Sequence, residues 1–373
     1  MSLFAAQAQD LARLAARDRR RTLVPRTGRD FASNDYLGLA ASGLLDEAVR
    51  DALDRGVPVG SGGSRLLRGN HDEHVALEAE AAAFFGAEAA LFFSSGYAAN
   101  VALLATLPQR GDLIVHDALV HASAHEGMRL SRAEARSAAH NDPDAVEDTI
   151  LAWRGAGGTG RAWIAVESLY SMDGDRAPLD ALAAIAARHD AVLLIDEAHA
   201  TGVFGDDGRG LAAGLAGRAN LVTLHTCGKA LGGEGALVCA PAIVCDFLVN
   251  RGRGFIFSTA PSPLIAAVVR AGLRALEAPA RRTALHALAA HAGRVLAPHG
   301  VTPSGSQILP LILGDDARTM RAAAALQRAG FDVRGIRPPT VPDGTSRLRI
   351  SITNNVGADD IDALAAELGR VLA

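Results

Sequence analysis

The sequence predicts an α/β protein with a mainly parallel central sheet in a large domain and a smaller α+β domain at the C-terminal end. Through most of the chain, short apolar runs alternate with helical patterns, which is typical of strands that helices bury on both faces. Beyond Pro263, long helical patterns replace this alternation. We therefore predict an N-terminal helix and arm (1–40), a large α/β domain (41–275) and a C-terminal α+β domain (276–373).

The individual elements follow from the spacing of the apolar residues. Helical spacing predicts helices over 2–20, 44–55, 74–85, 98–107, 123–130, 179–189, 264–276, 284–296, 319–329 and 358–372. Short apolar or alternating runs predict strands over 89–93, 113–116, 161–167, 191–195, 221–225, 235–239, 308–313 and 347–352. The segment Gly60–Arg65 is glycine-rich and predicts a flexible loop that could approach a ligand or another chain.

The composition excludes several classes of function. Of the 373 residues, 49% are hydrophobic and 21% are charged, with a net charge of −4, so nothing indicates a nucleic-acid footprint. No apolar run approaches the length of a membrane span. The three cysteines form no C-x-x-C pair, as expected for a reducing cytoplasm. We expect a cytoplasmic protein without nucleic-acid or membrane partners.

A single amine stands out among the basic residues. Lys229 is the only lysine, so 36 of the 37 basic residues are arginine. Arginine cannot readily lose its proton and is a poor nucleophile, whereas a lysine amine can form a Schiff base. Coding that favours arginine could also leave one lysine by chance, and the lysine alone does not separate these interpretations.

Two further features lie just past predicted strands. The segment Ser94–Tyr97 links a strand to a helix, an arrangement that binds anions, although serine and glycine also begin helices for capping alone. Asp196 ends an apolar strand, with His199 three residues on. Such an acid can keep the ring nitrogen of a bound heterocycle protonated. With Lys229, these residues provide what pyridoxal phosphate needs: a phosphate cradle, a pyridinium partner and an amine.

Other chemistries fit the sequence less well. The DEAH sequence at Asp196 lacks the upstream phosphate loop of a helicase. The histidine pairs 71/74 and 121/125 have helical spacing but no nearby cysteine and no H-E-x-x-H motif, which favours solvated side chains over a zinc site. A serine hydrolase would need a G-x-S-x-G elbow, and the sequence contains none.

The chain resembles the α-oxoamine synthases, which are fold type I pyridoxal-phosphate enzymes that join an amino acid to an acyl-CoA with loss of CO2. The matching motifs run in the family's order along nearly the whole chain. They are Ser33–Gly38, Gly60–Arg65, Ser94–Asn100, Ser171–Asp175, Asp196–Gly202, Thr226–Lys229 and Ile336–Pro342. The connector from Arg21 to Phe31 is shorter than usual in this family, which leaves the N-terminal contacts to the acyl chain open.

The GSGGSR and IRPPTVP motifs most resemble the member that joins L-alanine to a pimeloyl thioester, on CoA or acyl carrier protein, in biotin biosynthesis. A glycine-using member, of the aminolevulinate synthase or 2-amino-3-ketobutyrate CoA ligase type, is the alternative. A non-catalytic protein on the same fold is a third. The resemblance also implies a homodimer with active sites at the interface, and from the histidine and cysteine patterns we expect no metal.

The resemblance implies roles for individual residues. Lys229 would bind the cofactor covalently and later remove the α-proton of the amino acid, Asp196 would pair the pyridine nitrogen, and His199 would bond the ring hydroxyl. The other cofactor contacts would be Ser95, Gly96, Tyr97, His121 on the ring face, Ser171, Thr226 and, from a partner subunit, Ser258 or Thr259. The substrate contacts would be Arg19, Asn34, His121, Thr340 and Arg349, with Arg349 gripping the carboxylate. Glu167 also matches a family position near the substrates.

Overall fold

A computed structural model describes residues 3–373. They form two compact units. The large unit contains residues 37–171 and 176–282, and the small unit contains the described residues up to Tyr36, residues 172–175 and residues 283–373. The N-terminal arm therefore groups with the C-terminal residues. No helix in the described part of the chain is long and apolar enough to cross a membrane.

The large unit is built on a seven-stranded sheet. Its strands are β2 (Ala89–Phe93), β3 (Leu113–Asp117), β4 (Glu134–Ala138), β5 (Ala162–Glu167), β6 (Val192–Asp196), β7 (Leu221–Thr226) and β8 (Ala236–Ala240). Their spatial order is β2-β8-β7-β6-β5-β3-β4. Only β8 runs antiparallel to its neighbours, and the remaining pairs are parallel. The mainly parallel sheet predicted from the sequence is confirmed.

Helices cover both faces of this sheet. The helices of the large unit are α2 (Gly43–Asp54), α3 (Asp72–Phe85), α4 (Gly96–Thr106), α5 (Ala122–Leu130), α6 (Pro143–Gly155), α7 (Leu179–Arg188), α8 (Ala242–Arg251), α9 (Arg253–Ile256) and α10 (Pro263–Ala275). A single π-helical turn, Arg65–Gly69, follows the glycine-rich loop. Adjacent strand residues alternate between two cores: Leu194 packs with α4 and α5, and Leu193 packs with α6 and α7. Burial on both faces explains the continuous apolar runs.

The small unit is α+β. A three-stranded antiparallel sheet has the order β11-β12-β9, and the short strands β1 and β10 pair in parallel. The strands are β1 (Arg29–Asp30), β9 (Ile308–Gly314), β10 (Phe331–Asp332), β11 (Arg334–Ile336) and β12 (Ser346–Ser351). The helices are α1 (Ala5–Ala16), α11 (Ala280–Leu296), whose first residues fall in the large unit, α12 (Asp316–Arg328) and α13 (Ala358–Leu372).

Candidate active site

An open pocket of about 790 Å³ lies at one edge of the seven-stranded sheet. Strands β5, β6 and β7 end there with Glu167, Asp196 and Thr226, and because β8 is antiparallel, Gly235 before its first residue lies at the same edge. The pocket is lined by Ser94, Ser95, Gly96, Tyr97, Asn100, His121, Ser123, Glu167, Asp196, Ala198, His199, Thr226, Gly228, Lys229, Glu234 and Gly235. Ligands of parallel α/β sheets bind at this carboxyl edge.

The only lysine lies in this pocket, in a loop that is held by hydrogen bonds within its own backbone. The N–H of Cys227 donates to the carbonyl of Gly235 at 2.8 Å, and the N–H of Gly233 donates to the carbonyl of Cys227 at 2.9 Å. Lys229 Nζ lies 2.8 Å from Nε2 of His199. The amine is therefore held beside the histidine that follows β6.

Asp196 is buried at the end of β6, and both of its oxygens accept hydrogen bonds. Asn100 Nδ2 donates to Oδ2 at 2.7 Å, and the backbone N–H of Ala198 donates to Oδ1 at 2.9 Å. Hydrogen bonds to an ionised acceptor are short and strong. The two donors fix the orientation of the carboxylate, which lines the pocket.

His121 begins α5 and caps it with its own ring. The backbone N–H of Ser123 donates to His121 Nδ1 at 3.2 Å, and the Ser123 hydroxyl lies 2.8 Å from the same nitrogen. Burial lowers the pKa of His121, an effect that the charge of Asp196 opposes and that of Lys229 reinforces. The ring is therefore neutral at physiological pH.

Glu167, the last residue of β5, is paired in register with Asp196 on β6. Its Oε2 accepts the N–H of Ser171 at 3.1 Å, while its Oε1 is buried with no hydrogen-bond partner among the described residues. Burial, together with the nearby charge of Asp196, raises the pKa of Glu167 to about 8. The carboxyl group is therefore largely protonated at neutral pH, as expected when two acids share a desolvated site.

Glu197 follows Asp196 in sequence but has a different environment. It is fully buried and accepts the backbone N–H groups of Leu211 at 3.0 Å and Ala212 at 2.5 Å. Burial raises its pKa to about 7. Since it does not line the pocket, its contacts indicate that it anchors the loop before β7.

The start of α4 forms an anion cradle. Ser95 caps the helix and accepts the N–H of Ala98 at 3.1 Å, and the first N–H groups of a helix have no partner within the helix itself. A Cβ atom on Gly96 would lie 2.5 Å from Cγ2 of Thr226, so only glycine fits there. Tyr97 is half exposed and also lines the pocket. Free N–H groups and hydroxyls around a side-chain-free position suit a phosphate.

The three other residues predicted to contact the cofactor do not line the pocket of this chain. Ser171 is buried and touches Glu167 through its N–H. Ser258 and Thr259 follow α9 on the surface of the large unit. Their predicted contact, from a partner subunit, stays a prediction.

Apart from His121, which is in the large unit, the residues predicted to bind the substrates belong to the small unit. Arg349 on β12 is buried and donates to Ser351 Oγ at 2.6 Å and to Asn34 Oδ1 at 3.1 Å. Arg19 pairs with Asp316 and Asp343, both at 2.6 Å. Thr340 Oγ1 accepts a hydrogen bond from Arg21 at 3.2 Å. Their roles toward the substrates stay predictions.

The histidine pair 71/74 has a structural explanation. His71 Nδ1 accepts the N–H of Glu73 at 3.1 Å, and His74 Nδ1 accepts the N–H of His71 at 3.1 Å, so both rings cap α3. Within residues 3–373, no group of three or more His, Cys, Asp or Glu side chains could hold a metal ion.

Asn100, Ser123 and Glu234 line the pocket but were not among the predicted site residues. Asn100 is a buried amide in the otherwise apolar helix α4, and Ser123 follows His121 by two residues. A buried polar residue inside an apolar helix is the signal that could have identified Asn100.

Comparisons with known proteins assign this chain to a family. The model of the family "aminotransferase class I and II" matches residues 27–368. The 8-amino-7-oxononanoate synthase of Geobacter sulfurreducens is 42% identical over 347 residues, which cover 91% of this chain and 88% of that protein.

Two solved structures agree with this placement. A serine palmitoyltransferase from S. paucimobilis, with a bound pyridoxal phosphate–myriocin adduct, has a TM-score of 0.89 at 26% identity and covers 100% of this chain and 98% of that one. The 8-amino-7-oxononanoate synthase of Francisella tularensis has a TM-score of 0.78 at 28% identity and covers 92% and 98% of the two chains.

The matched residues include every strand of the seven-stranded sheet and every residue that lines the pocket. The fold and the site therefore define one class, the fold type I transferases that depend on pyridoxal phosphate. The chain belongs to the aminotransferase class I and II family.

Proposed function

We propose that this chain condenses L-alanine with a pimeloyl thioester to give 8-amino-7-oxononanoate, CO2 and the free thiol, as a step of biotin biosynthesis. The observation that carries the proposal is the 42% identity, over 91% of the chain, to the 8-amino-7-oxononanoate synthase of Geobacter sulfurreducens. In this reaction a C–C bond forms between the α-carbon of alanine and the thioester carbonyl carbon, the C–S bond breaks, and the alanine carboxylate leaves as CO2.

The residues at the carboxyl edge of the sheet fit pyridoxal phosphate. The phosphate would lie against Ser95, Gly96 and Thr226. A Cβ atom at position 96 would collide with Thr226, so only a glycine backbone can lie there beside the phosphate. Asp196 would meet the pyridine nitrogen with a carboxylate that two donors already orient. Lys229 would hold the cofactor covalently. When bound, the cofactor supplies a carbon that takes up an amine and a ring that withdraws electrons from the α-carbon.

Lys229 and His199 would act next to each other on the substrate. The Lys229 amine, free once the amino acid replaces it, would take the α-proton on Nζ and later return a proton to the product. His199, 2.8 Å from Nζ, would hold the ring hydroxyl of the cofactor. His121, neutral because burial lowers its pKa, would cover the ring face without adding a competing positive charge.

A buried arginine fits the recognition of the amino acid. Arg349 is buried and held by Ser351 and Asn34, so its guanidinium is oriented in advance. A guanidinium binds a carboxylate through two parallel hydrogen bonds. We propose that Arg349 binds the alanine carboxylate, and that Arg19, Asn34 and Thr340 lie near the substrates.

We extend the proposal to a homodimer whose partner contributes Ser258 or Thr259 to the phosphate. The large unit exposes Leu66, Leu67 and Phe257 to 51%, 81% and 73%. The loops that carry them are joined, because Ala260 N–H donates to the Gly63 carbonyl at 2.9 Å. Exposed apolar clusters of this kind mark interfaces. The three free, buried cysteines fit a cytoplasmic location.

An amino-acid panel tests the reaction. Purified protein with pyridoxal phosphate and pimeloyl-CoA is offered L-alanine, glycine or L-serine, and the free thiol and CO2 are measured. We expect both products with L-alanine. Turnover only with glycine would favour a glycine-using member of the family, and no CO2 with any amino acid would contradict an enzymatic role of this kind.

A second experiment tests the lysine. Borohydride reduction of the holoenzyme should attach the cofactor to the peptide that carries Lys229, the only side-chain amine in the chain. Lys229→Ala should abolish turnover, and Lys229→Arg, which keeps the charge but not the nucleophile, serves as the matched control and should also be inactive. Full activity in either variant would overturn the role of Lys229.

A further inference from the structure

A network of side-chain hydrogen bonds joins Asp196 to His121 in the lining of the pocket. Asn100 Nδ2 donates to Asp196 Oδ2 at 2.7 Å and to Ser123 Oγ at 3.0 Å. Ser123 Oγ lies 2.8 Å from His121 Nδ1. Asn100 and Ser123 are 3% and 0% exposed, so little water competes for these contacts.

The donor and the acceptor of every hydrogen bond in this network can be assigned. The Ser123 backbone N–H already donates to His121 Nδ1, so Nδ1 carries no proton and the Ser123 hydroxyl must donate to it. The Asn100 amide must point its N–H groups at Asp196, because an amide oxygen facing a carboxylate would be repelled. The remaining N–H group then donates to the Ser123 oxygen. The polarity runs from Asn100 through Ser123 to His121.

We propose that Asn100 and Ser123 are positioning residues that hold Asp196 in orientation and fix His121 as the tautomer with its proton on Nε2. The role in catalysis rests on the proposed cofactor site, whereas the tautomer is a property of the free protein. The ring that would cover the cofactor thus presents an N–H donor at Nε2, and the acid that would meet the pyridine nitrogen is locked by the same amide.

The surroundings of His121 favour this arrangement. The charged groups that act on it are Asp196 and Lys229. The adjacent Glu167 is largely neutral, because burial and Asp196 raise its pKa to about 8. A buried amide without partners would be unfavourable, and both N–H groups of Asn100 are used. The network is therefore complete only with this polarity.

Nuclear magnetic resonance of the cofactor-free protein tests the tautomer directly. With ¹⁵N-labelled histidine, and His121→Gln to assign the signal among the twelve histidines, His121 should show an unprotonated Nδ1 and a protonated Nε2 at neutral pH. Ser123→Ala keeps the backbone N–H but removes the hydroxyl, and should move both shifts toward those of a mixture of tautomers. A protonated Nδ1 in the unaltered protein would overturn the proposal.

Cofactor affinity tests the role of Asn100. Asn100→Leu, similar in size but without donors, should bind pyridoxal phosphate about 10- to 100-fold more weakly, the value of one charge-assisted hydrogen bond. The matched control is Asn220→Leu, which loses one amide bond to the Ala191 carbonyl away from the pocket and should bind normally.

The two readouts separate failure of the inference from failure of the proposed function. If the unaltered protein does not bind pyridoxal phosphate, the proposed cofactor site is wrong, and the tautomer is still decided by resonance in the free protein. If Asn100→Leu and Ser123→Ala leave both the His121 shifts and the cofactor affinity unchanged, the two residues do not position the site. Should Asn100→Leu fold poorly, Ser123→Ala, which removes a single oxygen atom, decides the question alone.

Discussion

Glu167→Gln should change how the stability of the cofactor-free protein depends on pH. Glutamine has the shape of the protonated acid but cannot ionise. The Glu167 carboxyl in the folded protein keeps its proton up to a pKa of about 8, against an ordinary value of 4.5, chiefly because it is buried and secondly because Asp196 is charged. Between these values the folded protein binds more protons than the unfolded chain, so its stability falls as the pH rises.

The magnitude follows from the proton difference. One bound proton changes the free energy of unfolding by about 1.4 kcal/mol per pH unit. From pH 6 to pH 7.5, Glu167 should therefore remove about 2 kcal/mol from the stability of the unaltered protein, and Glu167→Gln should not lose this amount. The other buried titratable groups, including His121, are present in both proteins, so their effects cancel in the difference.

Urea unfolding followed by tryptophan fluorescence measures this difference. The chain has two tryptophans, Trp153 and Trp163, and both are buried in the large unit, so the signal reports on the unit that contains Glu167. The control is Glu277→Gln, which removes a carboxylate that is exposed in the same unit and should leave the pH dependence unchanged. If the free energies of unfolding of the unaltered protein and of Glu167→Gln change with pH by the same amount, Glu167 is not neutral in the folded protein.

Three further substitutions test other parts of the structure. Gly96→Ala should weaken binding of pyridoxal phosphate, because the new Cβ would lie 2.5 Å from Thr226 Cγ2; adding Thr226→Ser removes that methyl group and should restore affinity in a fluorescence titration. Arg349→Lys should raise the KM for L-alanine by about tenfold or more with a smaller effect on kcat, since the paired hydrogen bonds of the guanidinium are lost; an unchanged KM would count against Arg349. Glu197→Gln should lower the free energy of unfolding by about 1–3 kcal/mol, because the amide leaves a buried backbone N–H unpaired, and unchanged urea unfolding would show that Glu197 does not anchor its loop.

The strands next to the pocket were predictable because burial on both faces leaves a continuous apolar run. The run predicted over 191–195 corresponds to β6 (Val192–Asp196), and the run over 89–93 has the bounds of β2. The edge strand β4 was missed because it is Glu-Ala-Arg-Ser-Ala and mostly accessible to solvent, so no apolar pattern marks it. Helix α6 was also missed, although Asp142 and Pro143 begin it with a common start signal.

The polar and reactive residues of the pocket were predictable only where their local sequence carried a signal. Lys229 is the sole lysine, and Asp196 ends an apolar strand, so the amino-acid sequence alone distinguishes both. Asn100 and Ser123 could not be connected to them, because Asn100 is 96 residues from Asp196 and 23 from Ser123 in sequence. Only the arrangement of strands and helices at the carboxyl edge brings these groups within hydrogen-bond distance.

The register of β5 and β6 explains why the two acids of the pocket differ. Glu167 and Asp196 lie opposite each other on neighbouring strands, and two carboxylates this close in a desolvated site do not both ionise readily. Asp196 receives donors on both oxygens, whereas Oε1 of Glu167 is buried without a hydrogen-bond partner among the described residues. Burial and the nearby Asp196 therefore raise the pKa of Glu167 to about 8. Asp196, whose two oxygens are both held by donors, is therefore the acid that we propose for the pyridine nitrogen.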